Sequence, residues 1–139
     1  YEISSNATPD AEWFKCDKCG NLYEMIEQKS GCTPVCCGSP TRELKAGEVD
    51  AATEKHVPVL SQENDTLVVK VGSVPHPMQD VHYIMNIWAE FEDGSMERIS
   101  LVPGQAPETT IALRGRKGHV VVYEYCNLHG LWKAEMDIA

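Results

Sequence analysis

The chain has 139 residues, enough for one ordinary domain or two small ones. Its formal net charge of -9 argues against nucleic acid and against anionic membranes as partners, and it makes any local positive charge informative. No apolar run approaches the roughly 20 residues of a membrane-spanning helix, and residues 1–10 lack the charged-then-apolar pattern of a signal peptide.

Residues 1–10 are polar and are expected to be loosely held. Trp13 and Phe14 then lead into Cys16-Asp17-Lys18-Cys19-Gly20, which has the form of a metal knuckle whose turn aims backbone N–H groups at sulfur. The segment from Tyr23 to Lys29 reads as a strand or a short helix. Cys32 and the adjacent pair Cys36-Cys37, followed by Gly38, complete a run of five cysteines out of six in the chain. Without a secretion signal, this spacing reads as metal or redox chemistry and not as a disulfide framework. So small a segment buries little apolar surface, and a metal would supply the stability that its core lacks. Cys16, Cys19, Cys36 and Cys37 would make a tetrahedral four-thiolate site. Five thiols compete for those four places, so Cys32 could replace one. It is left out because Cys36-Cys37-Gly38 mirrors Cys19-Gly20. Four thiolates suit zinc and iron equally.

Residues 40–53 read as a linker with a strand edge, and the domain boundary is placed near residue 46, giving domains 1–45 and 46–139. From residue 54 onward the pattern is of strands. Val57–Leu60 is short and apolar, and Gln62–Asp65 is a polar turn before Thr66–Val71. Tyr83–Phe91 alternates, with Met85, Ile87, Ala89 and Phe91 on one face. Asp93-Gly94 signals a hairpin into Met96–Leu101. Thr109–Leu113, Val120–Tyr125 and Leu131–Met136 follow. About seven short strands with no helical period predict an antiparallel β-sandwich of the immunoglobulin type.

The remaining cysteine, Cys126, precedes His129 by three positions, and Gly130 follows with the freedom to take a positive φ. A thiolate and an imidazole so spaced can grip one metal ion, but further ligands must come from upstream. His56, His76 and His82 are placed for this, at strand ends or turns, two of them stiffened by Pro58, Pro75 and Pro77. Any one of these histidines is more often ordinary than a ligand. Four of them with one lone cysteine form a constellation. His119 is set apart, in the basic turn Arg114–His119, which is expected to be mobile.

The strings Glu54-Lys55-His56-Val57-Pro58-Val59, Gly72-Ser73-Val74-Pro75-His76-Pro77-Met78, His82, and Glu124-Tyr125-Cys126-Asn127-Leu128-His129-Gly130-Leu131-Trp132-Lys133-Ala134-Glu135 resemble superoxide reductase. With Cys16, Cys19, Cys36 and Cys37 in front, the chain is similar to the two-iron form, desulfoferrodoxin. The resemblance runs over nearly the whole chain from Phe14. It implies a desulforedoxin-like N-terminal domain with a distorted tetrahedral iron on Cys16, Cys19, Cys36 and Cys37 (centre one). It implies a second iron held equatorially by His56, His76, His82 and His129, with Cys126 axial and the sixth position open (centre two). Cys32 and a slightly long loop between Cys19 and Cys36 depart from the family pattern, and both bear on the identity of the third ligand of centre one.

The implied activity is one-electron reduction of superoxide to hydrogen peroxide, a detoxifying reaction, with rubredoxin as electron donor, in a cytoplasmic homodimer. The resemblance also implies that Glu54 occupies the sixth position when iron is ferric, and that Lys55 guides superoxide or organises water for proton delivery. Outside this family, Glu54-Lys55 would read as a solvated charge pair. Two competing functions are an electron-transfer iron protein without catalytic turnover, and a structural zinc module fused to a binding sandwich. An open coordination position favours the enzyme, since a pure carrier gains nothing from one.

Overall fold

A computed structural model describes residues 12–139, so the tail expected at residues 1–10 lies outside the described residues. The described chain divides into two compact units, which part between Lys45 and Ala46.

In the first unit β1 (Glu12–Lys15) lies between β2 (Leu22–Met25) and β5 (Arg42–Leu44), antiparallel to both. The segment from Tyr23 to Lys29 is strand only as far as Met25 and irregular beyond it, and the strand edge expected within residues 40–53 is β5 at the edge of this sheet. A two-residue hairpin, β3 (Val35–Cys36) with β4 (Ser39–Pro40), carries the second pair of cysteines. The buried apolar side chains of this unit are few: Trp13, Phe14, Cys16 and Leu44.

The second unit opens on a single helical turn, α1 (Thr53–His56), followed by β6 (Pro58–Glu63), β7 (Thr66–Val71), β8 (Ile84–Phe91), β9 (Met96–Ser100), β10 (Glu108–Ala112), β11 (Gly118–Cys126) and β12 (Gly130–Ile138). They form a three-stranded sheet in the order β10-β7-β6 and a four-stranded sheet in the order β12-β11-β8-β9, antiparallel throughout. Leu67, Val69, Val71 and Ile111 from the first sheet pack with Ile84, Ile87, Ala89, Phe91, Val120 and Val122 from the second. Burial of these alternating faces makes an immunoglobulin-like sandwich.

Two local expectations need correction. Gln62 and Glu63 extend β6, so the turn shrinks to Asn64 and Asp65, with Asn64 at φ 55. Asparagine tolerates that conformation better than most residues, and a two-residue hairpin demands it. His119 lies in β11 and not in a mobile turn. Its ring nitrogens bond Asp137 at 2.9 Å and Glu135 at 2.8 Å, and its backbone N–H donates to Glu92. The cationic turn is tied as well, because Arg116 lies 3.7 Å over the Phe91 ring and donates to Glu97.

Antiparallel pairing brings the start of one strand beside the end of the next. Pro58 therefore faces Val71, and Cys126 faces both Gly130 and Ile84. One end of the sandwich thus collects the segments just before β6, after β7, before β8 and between β11 and β12. Those segments hold the four clustered histidines and Cys126.

Candidate metal centres

His56 closes α1, and its Nδ1 is 2.8 Å from the carbonyl oxygen of Ala52. His76 places Nδ1 2.6 Å from its neighbour's carbonyl at Pro77. A carbonyl only accepts, so each Nδ1 carries the proton and each Nε2 presents a bare lone pair. Those two lone pairs meet at 3.1 Å, and His129 brings its Nδ1 to 3.0 Å from His56 Nε2. Protonation does not relieve the crowding. Burial lowers the affinity of His56, His76 and His82 for a proton, and that of His76 falls to about 4. Among the described residues, buried His82 Nε2 has no hydrogen-bond partner.

The rings form a closed square. Neighbouring centroids, taken in the order His56, His76, His82, His129, are 4.6, 4.7, 5.0 and 4.8 Å apart, each pair crossing at 79–85°. His56 and His82 face each other across it at 6.4 Å. Two donors at right angles around a metal about 2.1 Å away are roughly 3.0 Å apart, which is the spacing found here. Cys126 Sγ completes the group, all five donor atoms lying within 4.8 Å of one another. The residues fit a metal ion. Neutral imidazoles converge with a thiol on a point that a proton cannot satisfy.

Outer contacts hold the ligand loops. The Asn127 side chain accepts from Tyr83 N–H at 3.0 Å and donates to the Val81 carbonyl at 3.0 Å, clasping the loop on both sides of His82. Trp132 stacks on His56 at 5.0 Å and donates from Nε1 to the His129 carbonyl at 3.0 Å. Gly130 has the expected positive φ, 78°. Burial pushes the Cys126 thiol up, while backbone N–H groups of Leu128 and His129 pull it back. A bound metal would settle the matter by deprotonating it outright.

In the first unit Cys16, Cys19, Cys36 and Cys37 bring their sulfurs within 4.8 Å of one another, and exposed Cys32 is not in the group. The knuckle is closed by Gly20 N–H donating to Cys16 O at 2.8 Å and by Cys16 N–H donating to Asn21 O at 2.9 Å. Cys37 and Gly38 take φ 52° and 73°, the sharp bend that lets adjacent cysteines face one point. Backbone N–H bonds from Cys19 and Lys18 pull Cys16 down to about 7, while the crowding sulfurs push Cys37 up to about 12. Thiols so unequal and so close suit a cation that takes all four as thiolates.

Residues 48–135 match the desulfoferrodoxin family model. The chain is 47% identical over 125 residues to the desulfoferrodoxin of Syntrophotalea carbinolica, covering 89% of this chain and 95% of that one. It is 46% identical over 125 residues to that of Nitratidesulfovibrio vulgaris, with the same coverage of each. The crystal structure of the superoxide reductase from Treponema pallidum superposes with a TM-score of 0.76 at 31% identity, over 90% of this chain and 97% of the other. The chain belongs to the desulfoferrodoxin family.

Desulfoferrodoxins carry an iron centre on four cysteines and another on four histidines and a cysteine, and this chain holds both groups. The activity is reduction of superoxide. Glu54 and Lys55 lie exposed on α1 directly before His56. This turn is clamped from the Gly72–Val74 side. Val74 N–H and Ser73 Oγ donate to the Glu54 carbonyl at 3.0 and 3.3 Å, and Gly72 N–H donates to Val57 O at 3.2 Å.

Three contributors were not singled out from the sequence. Asn127 and Trp132 lie within the quoted motif, and only their contacts reveal their role. Glu124 is fully buried in β11, and among the described residues neither carboxylate oxygen has a partner. Burial raises its pKa well above the usual carboxylate range. A lone glutamate inside the apolar run Val120–Tyr125 was the available signal.

Proposed function

We propose that centre two is the seat of superoxide reduction, with His56, His76, His82, His129 and Cys126 as the residues that would hold its iron. Four imidazoles and one thiolate would supply five donors to that iron and leave room for substrate. Iron there supplies one electron, which with two protons turns superoxide into hydrogen peroxide. The neutral imidazoles leave most of the cation's charge uncompensated, so the site attracts a small anion. Cys126 is buried from water and hydrogen-bonded by the Leu128 and His129 N–H groups. Those bonds hold its orientation and moderate the density it donates.

Lys55 is the steering charge. On a chain of net charge -9, an anionic substrate needs a local attractor, and Lys55 is adjacent to a ligand. Glu54, on the same turn, would offer that iron a carboxylate. Centre one holds its iron on Cys16, Cys19, Cys36 and Cys37, in a domain comprising residues 1–45, and the catalytic domain comprises residues 46–139. Reduced rubredoxin is the donor, and the enzyme works as a cytoplasmic homodimer. Among the described residues no helix is long and apolar enough to cross a membrane.

The observation that carries this reading is the square of four imidazoles whose nitrogens converge with a buried thiol. Pulse radiolysis of the fully reduced protein tests it. Superoxide should oxidise centre two in a bimolecular step, with one hydrogen peroxide formed per iron oxidised. An electron carrier without turnover would show no such step.

A further inference from the structure

Centre one has a feature its four cysteines do not explain. The hydroxyl of Tyr23 donates to Cys36 Sγ across 3.1 Å. The same oxygen accepts from Asn21 Nδ2 at 3.4 Å, so its acceptor side is occupied and its proton is directed at sulfur. The backbone supplies the bonds to the first pair, with Cys19 and Lys18 donating to Cys16 and Asn21 donating to Cys19. Those come with the knuckle turn whatever its side chains. The bond to Cys36 does not. It requires a phenol at position 23, which β2 sets opposite Phe14 of β1. Cys36 is half-buried, and Tyr23, whose hydroxyl reaches it, is 38% exposed.

We propose that Tyr23 sets the reduction potential of centre one through its hydrogen bond to Cys36, acting as a positioning and tuning residue and not as a ligand. The inference rests on the reading of this group as an iron centre. One electron enters on reduction, and the added negative charge spreads over the sulfurs. No proton moves, and the phenol keeps its hydrogen. An O–H dipole with its positive end on sulfur stabilises the more negative, reduced state, and hydrogen bonds to sulfur are among the levers that set such potentials. Bonds to charged acceptors are strong enough for one of them to matter. Tyr23 thereby makes centre one a better electron acceptor than the bare four-thiolate site, and it screens one sulfur from water.

The test is Tyr23→Phe in the full-length, iron-loaded protein, followed by redox titration of both centres in one sample. The reduction equilibrium of centre one should shift about tenfold toward the oxidised state, which is a lowering of about 59 mV for one electron. Its sulfur-to-iron absorption should move to longer wavelength, because a sulfur without a donor gives up electron density more easily. Centre two should titrate as in the wild type and serves as the internal reference. Asn21→Ala, which keeps the backbone bonds of the knuckle, should shift centre one in the same direction by less, and it decides the matter if Tyr23→Phe fails to hold iron. An unchanged potential and spectrum in the variant that retains iron overturns the proposal. A colourless wild-type first unit that binds zinc instead overturns the reading of centre one itself, a distinguishable result.

Discussion

At the residue scale, the proposed function gives Cys126 and Lys55 different roles, and substitution should separate them. Cys126 is wholly buried, with its sulfur within 4.8 Å of the four histidine nitrogens. Cys126→Ser should remove the sulfur-to-iron colour of oxidised centre two and abolish superoxide reduction, while the four imidazoles still retain iron in a metal assay. His119→Ala is the matched control. His119 begins β11 where Cys126 ends it, some seven residues and about 23 Å along the strand, so colour and rate should both stay at wild-type values. Lys55→Ala should lower the bimolecular rate constant about tenfold and flatten its dependence on ionic strength, because steering charges act through a field that salt screens. Stopped-flow rates at several salt concentrations read both. In centre one, Cys16→Ser or Cys37→Ser should bleach the iron–sulfur absorption and Cys32→Ser should not. The reverse outcome for Cys32 and Cys36 would reassign the ligands.

At the scale of elements, the single turn of α1 is too short to persist alone, since an isolated helix needs about 12 residues. The Gly72–Val74 turn holds it. Gly72 has φ +85, and a Cβ there would sit 2.4 Å from the Val74 carbonyl and 2.8 Å from that of Glu54. Gly72→Ala therefore meets backbone on two sides in a conformation that already disfavours a side chain. The expected cost is roughly 2 kcal/mol or more of stability, read by thermal unfolding. A disproportionate loss of iron from centre two should accompany it, because the displaced turn carries His56. Loss of stability with full iron occupancy would show that α1 does not depend on this clamp.

The two units stand in contrast at the scale of the whole molecule. The second has a continuous core drawn from both sheets, while the first, among its described apolar residues, buries only Trp13, Phe14, Leu44 and Cys16. Structural metal binding is folding free energy where the core is small. Stripping both irons with a chelator under reducing conditions should release amide protection across residues 12–45 and leave the β6–β12 sandwich protected. Hydrogen exchange on the intact chain measures this. Uniform loss of protection in both units, or none in the first, would contradict the division of stabilising forces described here.

The linear chain already carried the donor types and the strands. Donor types are written in residue identities, and strand faces in alternation, so Cys126, the four histidines, the knuckle cysteines and the seven-stranded sandwich were all legible. Proline and glycine punctuation placed the ligands on loops. What the sequence could not determine is anything that depends on two distant segments meeting. The choice of Cys36 and Cys37 over Cys32 depends on a hairpin bend with Cys37 at positive φ. His119 looked like part of a mobile turn because its partners, Glu135 and Asp137, become neighbours only when β12 pairs with β11. The tautomers of His56 and His76, and so which nitrogen faces the metal, follow from carbonyls at Ala52 and Pro77 whose directions only the folded backbone provides. Local pattern records what a side chain can do. Which groups converge on one point is decided by strand register and loop closure, and these are properties of the whole sandwich.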